Sequence, residues 1–213
     1  MLHCPTFLRV LAGQNNINYK RKKPMSNNSF TKITERAKLL IEKCLKPGDW
    51  AVDLTMGNGK DTLFLANLVE KKGRILAFDI QSKALHNTEN FLRENKVNLS
   101  SVSLIKDGHE NIDRYIKDET ISAAMCNLGY LPGGNKNITT KSETTIIAIK
   151  KCLRCLKKNG LITIIVYPGH ASGQDEKEQI LSFVEQLKQN QYHISKTVFV
   201  NQHRDSPFLI AIL

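Results

Sequence analysis

Hydrophobic positions along this chain switch between a helical period and an extended one. In residues 33–45 they fall at 33, 37, 40, 41, 44 and 45, a spacing that predicts a helix. Thr31 or Thr34 is its expected cap, and Pro47-Gly48 stops it. Residues 51–54 read as a first strand and residues 61–69 as the helix after it. Lys72-Gly73 turns the chain into a second strand, residues 74–78, ending at Asp79. Residues 82–94 are helical, with Ala84, Leu85, Thr88, Phe91 and Leu92 on one face. Residues 102–105 form a third strand that runs into Asp107-Gly108-His109, and residues 121–126 a fourth that runs into Asn127. A helix over residues 143–157 is stopped by Asn159-Gly160. Residues 161–166 are almost entirely apolar, the pattern of a strand covered on both faces. Residues 175–189 are helical, and residues 193–200 and 207–213 read as two closing strands.

Strands alternating with helices predict an α/β fold, a mostly parallel sheet with helices on both faces. Right-handed crossovers put the C-terminal ends of the parallel strands on one rim, where such sheets bind ligands. Gly57-Asn58-Gly59, Asp79, Gly108-His109, residues 127–134 and residues 167–170 all fall there. The chain has no internal repeat.

Composition narrows the class. A chain of 213 residues with 41% hydrophobic and 24% charged residues suits one globular domain. No apolar run approaches the roughly 20 residues that cross a bilayer, so no membrane span is expected. The net charge of +11 points to a polyanionic partner such as RNA, the alternative being a lysine-rich solvated surface. That charge is uneven: Arg9, Lys20, Arg21, Lys22, Lys23 and Lys32 all precede Glu35, the first acidic residue. Residues 1–27 are read as a basic, disordered extension, and residues 28–213 as the folded domain. A cytoplasmic location is expected, with organelle targeting by the extension left open. Cys152-x-x-Cys155 lies inside a helical pattern with no second pair, so no metal site is expected.

The stretch from Asp53 to Asp61 carries the chemistry. Gly57 and Gly59 lie between a strand and a helix, where glycine permits φ > 0 and close approach of the backbone to a ligand. The third glycine of a dinucleotide fingerprint would fall at Thr62, and no Gly-Lys-Ser/Thr follows. Asp-x-x-x-Gly-x-Gly resembles the first motif of class I S-adenosylmethionine-dependent methyltransferases. That resemblance implies a Rossmann-like, seven-stranded sheet completed by an antiparallel last pair. It makes Asp53, Met56, Gly57, Asn58 and Gly59 candidates for the cofactor turn. Asp53 would bond turn amides or meet the methionine amino group, and Asp61 would cap the following helix. Asp79, at a strand tip, suits the ribose hydroxyls, with helix capping as the alternative. Gln81 would assist it. Gly108 and His109 fall where adenine lies, His109 otherwise being a surface residue. Asn127-Leu128-Gly129-Tyr130 is a relative of the Asn/Asp-Pro-Pro-Tyr/Phe signature of amino-methylating enzymes. There Asn127 would orient the target amine and Tyr130 stack on the base; the alternative is a plain polar turn.

Residues 53–66, 78–81, 127–136 and 166–170 together resemble one methyltransferase family, long described as rRNA methylases. Its members methylate the exocyclic amine of 5-aminomethyl-2-thiouridine at the tRNA wobble position. The similarity covers about residues 30–213, with the motifs in order. One departure is His170-Ala171-Ser172-Gly173-Gln174, where the family carries His-x-Gly-Gly. The resemblance implies S-adenosylmethionine as cofactor and the tRNA anticodon arm as partner, bound by the small domain itself or by a homodimer. His170 is a candidate acceptor or proton relay, with a loop-stabilising or RNA-phosphate role as the alternative. Lys136, Lys141, His203 and Arg204 are candidate phosphate contacts. Three other readings stay open: methylation of an rRNA base, methylation of a small amine, and RNA binding without catalysis.

Overall fold

A computed structural model describes residues 32–118, 120–169 and 173–213. The extension, residues 1–27, lies outside them, as does His170. Strands β1 (Trp50–Asp53), β2 (Arg74–Phe78), β3 (Val102–Ile105), β4 (Ile121–Asn127), β5 (Leu156–Val166), β6 (Ile194–Thr197) and β7 (Phe208–Ile212) form one sheet in the order β3-β2-β1-β4-β5-β7-β6. Pairing is parallel from β3 through β5, and β7 runs antiparallel to both β5 and β6. This is the expected seven-stranded, mostly parallel sheet. The chain builds outward from β1 to β3 and then returns to lay β4 against β1's other edge. The strand order therefore reverses between β1 and β4.

Side chains alternate across the sheet because successive strand residues point to opposite faces. On one face Ala51, Ile75, Ala77, Ala123 and Met125 pack with helices α1 (Ile33–Cys44), α2 (Lys60–Val69) and α3 (Ser82–Glu94). On the other, Val52, Leu76, Phe78, Ala124 and Cys126 pack with α4 (Ser142–Cys155) and α5 (Gly173–Glu185). Phe78 is fully buried and meets Tyr115 edge to face, ring centres 5.4 Å apart. Covering a side chain of that size contributes about 1.5–3 kcal/mol.

Several boundaries differ from the pattern reading. Lys32, extended and without a side-chain cap bond, precedes α1; Thr34 is already inside the helix and Thr31 is outside the described residues. Helix α4 ends at Cys155, short of the expected residue 157, because Leu156 pairs with Ile121 and the sheet takes the chain. Asn159, at φ 62°, then sits in an irregularity of β5, which regains register at Ala123–Leu161. Helix α5 stops at Glu185, where Gln186 and Leu187 turn back in three-residue bonds to Phe183 and Val184. The expected strand of residues 193–200 shortens to β6, since pairing with β7 ends at Thr197–Leu209 and Val200 stands 93% exposed.

Candidate active site

The C-terminal ends of β1 to β5 open onto a cavity of about 1100 Å³, placed where the strand order reverses. Its floor is the turn between β1 and α2. Gly57 and Gly59 both take positive φ, +54° and +78°. A Cβ on Gly59 would stand 2.8 Å from Thr88 Cγ2 and 3.1 Å from Thr88 Cα. Thr88, buried in α3, also donates its hydroxyl to the Gly57 carbonyl at 3.1 Å. Gly59 thus allows α3 to close directly on the turn and, unlike the expectation for it, does not line the cavity, whereas Gly57 does.

Asp79, just past β2, ties the same turn from its other side. Its Oδ2 accepts from the Gly57 amide at 3.1 Å and its Oδ1 from the Gln81 amide at 2.9 Å. A carboxylate has about four lone-pair positions, so acceptor capacity remains. Burial pushes the Asp79 carboxyl above its ordinary range, while the amides of Gln81, Gly57 and Ile80 pull it back. Gln81 also lines the cavity.

His109 Nδ1 lies 3.0 Å from the Leu54 carbonyl. A carbonyl only accepts, so Nδ1 carries the proton and Nε2 presents a lone pair. That Nε2 is buried with no partner, and burial pushes the ring pKa down, which keeps it neutral. Gly108 precedes it on the cavity wall. A free carboxylate face, an unpaired imidazole acceptor and a glycine turn suit a nucleoside-bearing cofactor with hydroxyl and amino donors.

Two residues of the motif do other work. Asp53 is 1% exposed and does not line the cavity; its oxygens accept from the Thr55 amide at 3.1 Å and the Thr62 hydroxyl at 2.7 Å. Burial, with Asp61 close by, pushes its carboxyl up to about 7. Of the two expectations for Asp53, the geometry matches the bond to a turn amide, through Thr55, and Asp53 acts on the turn from behind the cavity. Asn58 does line the cavity, but its carboxamide donates to the Pro132 carbonyl at 3.0 Å and accepts from Asn87 at 2.9 Å. It braces the loop after β4 against the glycine turn. Met56 is 3% exposed and anchors the turn through its amide to the Phe78 carbonyl, 2.9 Å.

At the end of β4, Asn127 and Tyr130 face the same cavity. The Asn127 amide donates to Thr55 Oγ1 at 2.7 Å, which locks the strand end to β1. Tyr130 is 40% exposed and pairs across to Thr139, with Lys136 Nζ 5.8 Å from its ring centre. Lys136 and Lys141 lie on the rim; His203 and Arg204 do not line the cavity.

Asp61 is the residue whose place the sequence reading missed. It was expected only to cap α2, yet Gly59 holds the cap position. Asp61 instead lines the cavity and accepts a hydrogen bond from Asn127 Nδ2. Lys38 and Glu35, on the polar side of α1, join it. The available signal was position: a carboxylate in the first turn of the helix that follows a ligand turn.

Comparison with known proteins bears on this geometry. A family described as "Putative rRNA methylase" matches residues 75–213. The chain belongs to this family. A curated relative, the chloroplastic tRNA (mnm(5)s(2)U34)-methyltransferase of Arabidopsis thaliana, is 36% identical over 160 residues, 71% of this chain. The chain spans 58% of that relative's length. A crystal structure of the family from Clostridium thermocellum is 42% identical, with a TM-score of 0.81 over 87% of this chain and 97% of its own. A Streptococcus mutans structure, described as a putative methyltransferase in complex with SAH, is 36% identical, with a TM-score of 0.76 over 85% and 97%. The fold is thus the Rossmann-like fold of class I methyltransferases. Among the described residues no helix is long and apolar enough to cross a membrane.

Proposed function

We propose that this chain is an S-adenosylmethionine-dependent tRNA methyltransferase that acts on the exocyclic amine of 5-aminomethyl-2-thiouridine at the wobble position. Residues 28–213 would form the catalytic domain. The observation that carries this reading is the sharing of one cavity by Asp79 and the glycine turn with Asn127 and Tyr130. The name of the 36% identical Arabidopsis relative supports the same substrate. When bound, S-adenosylmethionine supplies a methyl group already activated on a sulfonium, so the protein's task is mainly positioning.

Asp79 offers its remaining acceptor capacity to ribose hydroxyls, and His109 Nε2 offers an acceptor to the adenine amino group. On the substrate side, Asn127 gives its Nδ2 to Asp61, which leaves Oδ1 as an acceptor for an amine N–H. Tyr130, with an exposed ring face, stacks on the splayed wobble base. Lys136 and Lys141 meet backbone phosphates at the rim. The basic, acid-free first 34 residues, and the chloroplastic relative, favour an organellar destination as a second reading of location.

The test is nucleoside mass spectrometry on tRNA bearing 5-aminomethyl-2-thiouridine, incubated with purified protein and S-adenosylmethionine. Gain of one methyl at that nucleoside is the expected result. Its absence, with cofactor binding verified by calorimetry, would move the substrate to an rRNA base or a small amine.

A further inference from the structure

The substrate amine poses a problem that Asn127 does not solve. A primary alkylamine such as lysine has a pKa near 10.4, so at neutral pH it is an ammonium with no lone pair to share. A carboxamide oxygen can orient that group but is too weak a base to take its proton. Asp61 is the carboxylate that touches Asn127 inside the cavity.

We propose that Asp61 is the acceptor-side acid–base residue of this site: it fixes Asn127 with Oδ1 outward, pairs with the substrate ammonium and receives its proton. The inference rests on the wobble-amine reading and names the group that prepares the amine. In the step, the N–H bond breaks with its pair left on nitrogen, and an O–H bond forms on the Asp61 carboxylate. The proton later passes to water at the cavity mouth. The same charge gives specificity: a cationic aminomethyl group is attracted, whereas a side chain ending in a carboxylate is repelled.

The surroundings allow both states of Asp61. Lys38 of α1, Lys60 beside it on α2 and the Asn127 bond favour the carboxylate. Burial, Glu35 of α1 and Asp53 of β1 favour the protonated acid, with burial the largest influence. Tyr167, past β5, also senses Asp61, its phenol being pushed up by burial and then by that charge. The balance places Asp61 above the ordinary carboxylate range, toward the range in which a base accepts a proton readily at neutral pH.

Asp61→Asn is the informative variant, because its side-chain oxygen can still accept from Asn127 while the charge and basicity are gone. Three readouts are compared with the unaltered chain: S-adenosylhomocysteine affinity, methylation rate against pH, and affinity for an anticodon stem-loop bearing aminomethyluridine rather than plain uridine. We expect cofactor affinity within about twofold and kcat/KM at pH 7 down by about 100-fold, the scale of lost general-base catalysis. The deficit should shrink as pH rises toward the amine's own pKa, and the preference for the aminomethyl stem-loop should vanish. An unchanged pH profile and stem-loop preference, in a preparation whose unaltered chain is active, would overturn the role of Asp61 alone. A deficit that is equal at every pH and matched by lost cofactor affinity would reduce Asp61 to a structural brace. No methylation by the unaltered, cofactor-binding chain would remove the wobble-amine reading and this inference with it.

Discussion

Asn127 at the end of β4 donates its side-chain amide to Asp61 in the first turn of α2, across a separation of 66 residues. The bond settles which way the carboxamide faces, so the end of β4 offers an oxygen rather than an amino group to whatever enters. Asn127→Ala removes that oxygen and leaves Asp61 without its partner. We expect kcat to fall by at least about tenfold, the cost of one hydrogen bond to a charged or reacting group. Cofactor affinity, measured by calorimetry, should change much less. Equal losses in both would show that Asn127 supports the glycine turn instead.

Asp79, proposed for the ribose hydroxyls, lines the cavity and also holds the turn through the Gly57 amide. Asp79→Ala removes a charged acceptor worth about 1.5–3 kcal/mol per bond. S-adenosylmethionine affinity should therefore fall by roughly tenfold to a hundredfold. Unchanged affinity in titration calorimetry would withdraw the ribose role.

Gly59→Ala tests the close approach of α3. The new methyl group would press on Thr88 from 2.8 Å at a φ of +78°, which disfavours any side chain. A loss of about 1–3 kcal/mol is expected from the backbone alone. Thermal melts should show it, and Gly133→Ala, at φ +77° with open space around its Cβ, separates the backbone cost from the clash.

Asp53 should leave a signature in stability against pH. Its carboxyl is held at about 7 in the folded chain, above the ordinary 3.8, because burial disfavours the charge. The folded state therefore binds its proton more tightly than the unfolded state does. Stability from this group is present below about pH 4 and is lost as pH rises toward 7. Asp53→Asn, which keeps an acceptor for the Thr55 amide, should flatten that part of the curve in urea titrations. An identical slope in the variant would mean that Asp53 is ionised throughout.

Tyr130 stands with 40% of its surface exposed beside Lys136. Tyr130→Ala should weaken RNA binding by about 1–3 kcal/mol, the worth of one stacked base, whereas Tyr130→Phe should retain most of it. Filter binding to the anticodon stem-loop distinguishes the two. Equal effects would assign the contribution to the hydroxyl.

Much of this architecture was legible in the chain. Strands β2 and β3 and helix α3 occupy the spans that hydrophobic spacing predicts, because a period of two or of 3.6 is a local property of the backbone. The rim followed from topology, since parallel strands with right-handed crossovers leave one choice for the ligand side. Helix ends were less legible. Asn159-Gly160 reads as a helix stop, but pairing of Leu156 with Ile121 ends α4 earlier, and a pairing partner 35 residues away has no local signal.

What the sequence determines by itself is which segments reach the rim: Gly57, Asp79, His109, Asn127 and Tyr130 line the cavity, although Asp53 and Gly59 of the same motif do not. What only the tertiary structure decides is where their side chains turn. Asp53 and Asp61 flank the same glycines eight residues apart, yet one points into the core toward Thr62 and the other into the cavity toward Asn127. Strand alternation and helix phase meet at that turn, and their relative rotation is set by α3 closing on Gly59 through Thr88. Side-chain direction there depends on packing between elements distant in sequence, and that packing exists only once the sheet has formed.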